Sequence, residues 1–154
     1  MRMYVRVFGL TALLVFFSLG GAAGAAKQKV TIALSEMKFT PGKITVQAGN
    51  PVEFKLVNRG KVKHEFMVYK PPKAGLAGDE LEEWAEENSY FKGIEVKVEG
   101  GGIEVVGTNI FEVEIDAGKS AEVSFTPKQT GTFEIGCHIE GHYEKGMKGT
   151  LVVR

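Results

Sequence analysis

Between Cys137 and Met147 the chain places its one cysteine, two of its three histidines and a methionine, all within eleven residues. Four residues separate Cys137 from His142, and four more separate His142 from Met147. A strand end followed by a tight loop can bend such a segment around one point, and Gly141 and Gly146 make the bend easy, because glycine tolerates backbone angles that other residues resist. One thiolate, two imidazoles and a weak axial thioether make up the ligand set of a mononuclear electron-transfer copper site. The loop supplies three of these donors. His138 adjoins Cys137 and, along a strand, faces the opposite way, which leaves His64 as the second imidazole.

The elements around these residues follow from alternation. In Thr132–Cys137 the residues Phe133, Ile135 and Cys137 share a face; two of them are core residues, so Cys137 points inward while Gly136 and His138 point out. An inward single cysteine is commonly a small buried hydrophobe, but that reading leaves His142 and Met147 as coincidences. His64–Tyr69 reads as a strand with His64, Phe66 and Val68 on one face, and Met67, out of phase with His64, packs elsewhere. Upstream, Val30, Ile32 and Leu34, then Ile44 and Val46, then Val52, Phe54 and Leu56 alternate in the same manner. Pro71-Pro72 ends the His64 strand and opens an insertion in which Asp79 reads as the N-cap of a helix over 80–91 with Leu81, Trp84 and Ala85 as its apolar face. Strand patterns then resume to the end, separated by glycine-bearing turns. The expected fold is all-β, a Greek-key β-sandwich or barrel of about seven to nine strands with a helical insertion near 79–91.

The first 26 residues read as a secretory signal peptide: Arg2 and Arg6, an apolar run from Val7 to Leu19, and Ala23-Gly24-Ala25 as the cleavage site. A retained membrane anchor is the alternative, since the uncharged stretch is close to spanning length. Removal leaves 27–154 as a single domain, in which nineteen acidic residues face seventeen basic ones, a net charge of about −2. Nothing in this balance suggests nucleic acid. An exported chain ordinarily uses cysteines for disulfides, but one cysteine forms no internal bridge; bound metal protects the thiol and also employs its neighbours. A structural zinc site shares Cys and His ligands, yet the single thiolate and the methionine suit it poorly.

Phe39-Thr40-Pro41, Ile44-Thr45-Val46-Gln47-Ala48-Gly49 and Val52-Glu53-Phe54 resemble the opening strands of the cupredoxins, the plastocyanin and azurin family. Asn58 followed by His64 resembles that family's first-ligand region, and Cys137-x4-His142-x4-Met147 its ligand loop. The resemblance covers about residues 29–70 and 111–154, and azurins carry a helical flap near the insertion. Cys137-His138-Ile139-x-x-His142-x-x-x-Gly146-Met147 is also similar to the last cupredoxin domain of multicopper oxidases, where histidines on both sides of the cysteine help hold a trinuclear cluster. Here Gly136 stands in the preceding position, and three histidines in all cannot build a cluster within the chain. His138 is then expected at the surface, with a ligand for a second, weakly bound ion as the alternative.

The residues and the resemblance together imply a periplasmic or secreted protein, not an enzyme, that holds one copper ion through His64, Cys137, His142 and Met147. It would act as a monomeric one-electron carrier, with redox donor and acceptor proteins docking near His142 and no membrane span after signal cleavage. The alternative is an envelope copper-binding protein for tolerance or delivery, with His138, Met37 and Met67 helping to collect the metal.

Overall fold

The computed structural model describes residues 26–154, so the expected signal segment lies almost wholly outside the described residues. Among these, the strands in chain order are β1 (Gln28–Ser35), β2 (Lys38–Thr40), β3 (Lys43–Val46), β4 (Val52–Asn58), β5 (His64–Tyr69), β6 (Val96–Gly100), β7 (Ile103–Gly107), β8 (Glu112–Ile115), β9 (Ser120–Phe125), β10 (Gly131–Gly136) and β11 (Lys148–Val153), with helix α1 (Asp79–Glu87) between β5 and β6. They form two sheets, one ordered β2-β1-β4-β9-β6-β7 and the other β3-β11-β10-β5-β8. The fold is the expected all-β sandwich with a helical insertion. The strands outnumber the expected seven to nine because short β2 and the hairpin β6–β7 both join the first sheet. Among the described residues, no helix is long and apolar enough to cross a membrane.

Alternation decides what each sheet turns inward. In β4, Val52, Phe54 and Leu56 are buried while Lys55 is exposed, and Phe54 sits opposite the buried Val123 of β9. The second sheet answers with Phe133 and Ile135 from β10 and Leu151 and Val153 from β11. Phe66 links the layers, edge-on to Phe39 at 6.1 Å and to Phe54 at 6.0 Å. Each such fully buried side chain contributes about 1.5–3 kcal/mol of hydrophobic stabilisation.

All six residues of β5 are buried, more than a half-buried strand requires. The cause is α1, which covers the outer face: Met67 and Tyr69 pack with Ala85 and Trp84, and the Trp84 indole donates to the Lys70 carbonyl at 3.1 Å. Met67 is thus a packing residue, as its phase implies. The helix differs from expectation at both ends. Gly78 is the N-cap and no side chain caps the helix; Asp79 instead joins Glu80 and Glu82 in the first turn, where the helix dipole favours acids. The helix stops at Glu87 because the aromatic residues beyond it belong to the sandwich. Tyr90 lies 4.4 Å from Phe133 and Phe91 lies 5.1 Å from Phe125, and the Tyr90 amide donates to the Val68 carbonyl.

Candidate metal centre

His64 opens β5 at the rim of the sandwich. Asn58 fixes the approach to it: its side-chain amide donates to the carbonyls of Val62 and Ile115, both at 2.8 Å, and its oxygen accepts from the Gly60 amide at 2.9 Å. A side chain at position 60 would place its Cβ 3.0 Å from His64 Nε2, so glycine there lets the turn close over the imidazole. From β10, Cys137 continues the inward row of Phe133 and Ile135 and is fully buried. The loop then returns through a ladder of backbone bonds: His142 N–H to the Ile139 carbonyl, Met147 N–H to the His142 carbonyl and Cys137 N–H to the Met147 carbonyl. Gly141 and Gly146, at φ 75° and 101°, make the two bends that the spacing anticipates.

The donors meet. His64, Cys137 and His142 each offer a ligand atom within 4.8 Å of the others. Cys137 Sγ lies 3.3 Å from His142 Nδ1, and the two imidazole centroids are 5.1 Å apart. Met147 is fully buried, with its backbone tied to both Cys137 and His142. His142 retains 7% exposure while His64, Cys137 and Met147 retain none, so His142 is the donor nearest solvent.

Whether this set fits a metal is decided by His64. Both of its ring nitrogens are buried without a hydrogen-bond partner, an arrangement that costs about 1–3 kcal/mol unless something else satisfies them. Burial, followed by the neighbouring His142, lowers the His64 pKa, and burial, followed by Lys145, lowers that of His142. Both rings are therefore neutral near pH 7, the form that binds metal. Burial also pushes the Cys137 thiol up to about 11, so a cation entering here displaces its proton. Two neutral imidazoles, one thiol and a buried thioether fit a single type 1 copper ion.

Sequence reasoning missed the donor to the sulfur. The Glu65 amide lies 3.3 Å from Cys137 Sγ, and the Glu65 carboxylate accepts from the His138 amide at 3.0 Å. The signal lies in the register, not in the residue type: Gly136 pairs with Met67, which brings the next residues of β10 alongside Glu65. His138 also departs from expectation. It is half-buried, with its Nε2 3.0 Å from the Tyr69 hydroxyl. Gly136 is buried as well, and a Cβ there would lie 2.3 Å from that hydroxyl, so Tyr69 fills the space that a histidine before the cysteine would need.

The Cupredoxin-like domain family matches residues 8–84. The copper-resistant cuproprotein CopI of Rubrivivax gelatinosus is 32% identical to this chain, covering 87% of it and 71% of that protein. The chain belongs to the cupredoxin family. Solved structures agree on the fold: auracyanin A from Chloroflexus aurantiacus, 21% identical, superposes with a TM-score of 0.57 over 84% of this cupredoxin and 100% of its own chain. A multicopper oxidase from Campylobacter jejuni, 12% identical, does so with a TM-score of 0.55 over 96% of this cupredoxin and 34% of the oxidase.

Proposed function

We propose that this cupredoxin is an exported mononuclear copper protein that carries single electrons; His64, Cys137 and His142 would hold the ion and the Met147 thioether would be a weaker donor to it. The observation that carries the reading is the pair of buried, unpartnered His64 nitrogens, on a ring within ligand distance of a buried thiol and a second imidazole. Bound copper supplies a one-electron couple between Cu(I) and Cu(II). The protein holds the geometry for both states. The Glu65 amide steadies the charge on the Cys137 sulfur, and the sheet and the loop ladder keep the buried donors in place. His142, the most exposed donor, is the point of entry and exit for the electron, with donor and acceptor proteins docking over it. Residues 1–26 are the signal peptide, 27–154 the single working domain, monomeric and periplasmic or secreted, and its role is that of a carrier rather than an enzyme.

A second reading, copper tolerance or delivery in the envelope, is favoured by the similarity to a copper-resistant cuproprotein. Met147 separates the two. Expression of 27–154, loading with copper and redox titration of wild type against Met147→Leu and Met147→Gln test both. A carrier keeps its copper and colour in the leucine variant, whose potential rises because Cu(II) would lose a weak donor, while the potential of the glutamine variant falls. If the leucine variant loses its copper to a chelator with no change in the potential of what remains, Met147 retains metal and the delivery reading prevails.

A further inference from the structure

Cys137 and His142 are each followed by a ring, and the two rings are stacked: His138 lies 5.2 Å from Tyr143, with an interplanar angle of 16°. The Lys148 ammonium sits 4.4 Å from the Tyr143 centroid. Around this stack a hydrogen-bond circuit closes. Tyr143 donates to Glu134 Oε1 at 2.6 Å, and Tyr69 donates to the same oxygen at 3.1 Å. Since Tyr69 gives its one hydrogen to Glu134, the 3.0 Å bond between Tyr69 and His138 Nε2 has the imidazole as donor. The circuit therefore runs from His138 to Tyr69 to Glu134, which also receives Tyr143. Phenols are protonated at neutral pH, so both remain donors.

The placement matters more than the number of bonds. The loop carries two glycines at positive φ, the backbone type most costly to hold still. The circuit grips the residue immediately after Cys137 and the residue immediately after His142. Each grip fixes the peptide unit attached to a donor, from the side of the sheet away from the donors. Gly136 is what makes room for it.

We propose that Glu134 is a positioning residue for the copper loop: by accepting from both Tyr69 and Tyr143 it locks His138 against Tyr143 and so holds Cys137 and His142 in register. The inference rests on the copper reading above, and it gives His138 a role that is neither a surface residue nor a ligand.

The test compares wild type with Glu134→Gln, Glu134→Leu and Tyr143→Phe, with and without copper. Glutamine keeps an accepting oxygen, leucine keeps bulk and accepts nothing, and phenylalanine keeps the stack but loses one bond. In the copper-free protein, amide hydrogen exchange at His142, Gly146 and Met147 should accelerate about 5-fold in the phenylalanine variant, the equivalent of one hydrogen bond, accelerate more in the leucine variant, which loses two, and stay near wild type in Glu134→Gln. With copper, release to a chelator should quicken about 10-fold in Glu134→Leu, with a shifted charge-transfer band and copper hyperfine splitting, and the glutamine variant should recover both. If Glu134→Leu does not fold, Tyr143→Phe against Glu134→Gln decides. Folded leucine and phenylalanine variants with wild-type exchange, release and spectrum would overturn the proposal. Wild type that takes up copper without a thiolate charge-transfer band would instead overturn the copper reading, and exchange in the copper-free protein would still decide whether Glu134 holds the loop.

Discussion

The ribbon made by β5 and β10 has two faces that do different work. Inward, His64, Phe66 and Val68 alternate along one strand and Phe133, Ile135 and Cys137 along the other: two of the proposed metal donors among hydrophobes. Outward, Glu65, Met67 and Tyr69 lie beside Glu134, Gly136 and His138, covered in part by α1. The inner face offers nitrogen and sulfur with few hydrogen bonds, which suits a metal; the outer face is rich in hydrogen bonds, which suits support. Binding and holding are thus separated by one peptide thickness.

If that division is right, the largest effect comes from the inner face alone. Cys137→Ala should abolish the intense visible band of the copper-loaded protein completely while far-UV circular dichroism stays that of a β protein; a variant that kept the band would place the thiolate elsewhere. Within the inner face the two imidazoles should differ. His142→Gly opens a gap near the surface that added imidazole fills, restoring colour, whereas His64→Gly resists rescue because the strand and the Gly60 turn enclose the gap. Equal rescue at both positions would break the distinction between strand-held and loop-held donors.

The outer face should alter stability first. Leu81, 1% exposed on α1, should cost about 2–4 kcal/mol when changed to alanine, read as a lower urea midpoint, with the position of the copper band unchanged. A moved band would mean that α1 shapes the site directly. The smallest effect concerns Glu112, on β8 opposite Met67. Burial, then Glu65, Glu114, Glu82 and Glu86, raise its pKa from 4.5 to about 7. A raised carboxyl favours the folded state at low pH, and this contribution is lost as pH rises from 4.5 through 7. Glu112→Gln removes the loss, so it should stabilise the protein at pH 8 and not at pH 4. Partial exposure reduces the gain to about 1 kcal/mol, or about 4 °C in Tm. A gain equal at both pH values would show that ionisation of Glu112 is not its cause.

The inner face was largely legible in the sequence, because its message is written in residue type and period. Cys137, His142 and Met147 stand close along the chain, His64 is isolated by elimination, and alternation turns Cys137 inward beside Phe133 and Ile135. The outer face was not, because it depends on register and on rings meeting across strands. Nothing local to Glu65 says that its amide reaches a sulfur 72 positions away, and nothing local to Glu134 says that two phenols converge on it. The helix ends misled for a related reason: Asp79 has the chemistry of a cap, but Gly78 takes that position, and the pull of the sandwich core on Tyr90 and Phe91 overrides helical continuity.

The strand after Met147 carries a kinetic consequence. β11 inserts between β3 and β10, parallel to the first and antiparallel to the second, so its seating joins a pairing near in sequence to one far from it. Such distant pairings make folding slow, and until β11 docks, nothing closes the downstream end of the donor loop. The Cys137 amide bonds the Met147 carbonyl where β10 gives way to the loop, so docking of β11 and closure of the donor loop are coupled in time. The charge-transfer band of copper added during refolding should therefore appear no sooner than amide protection on β11.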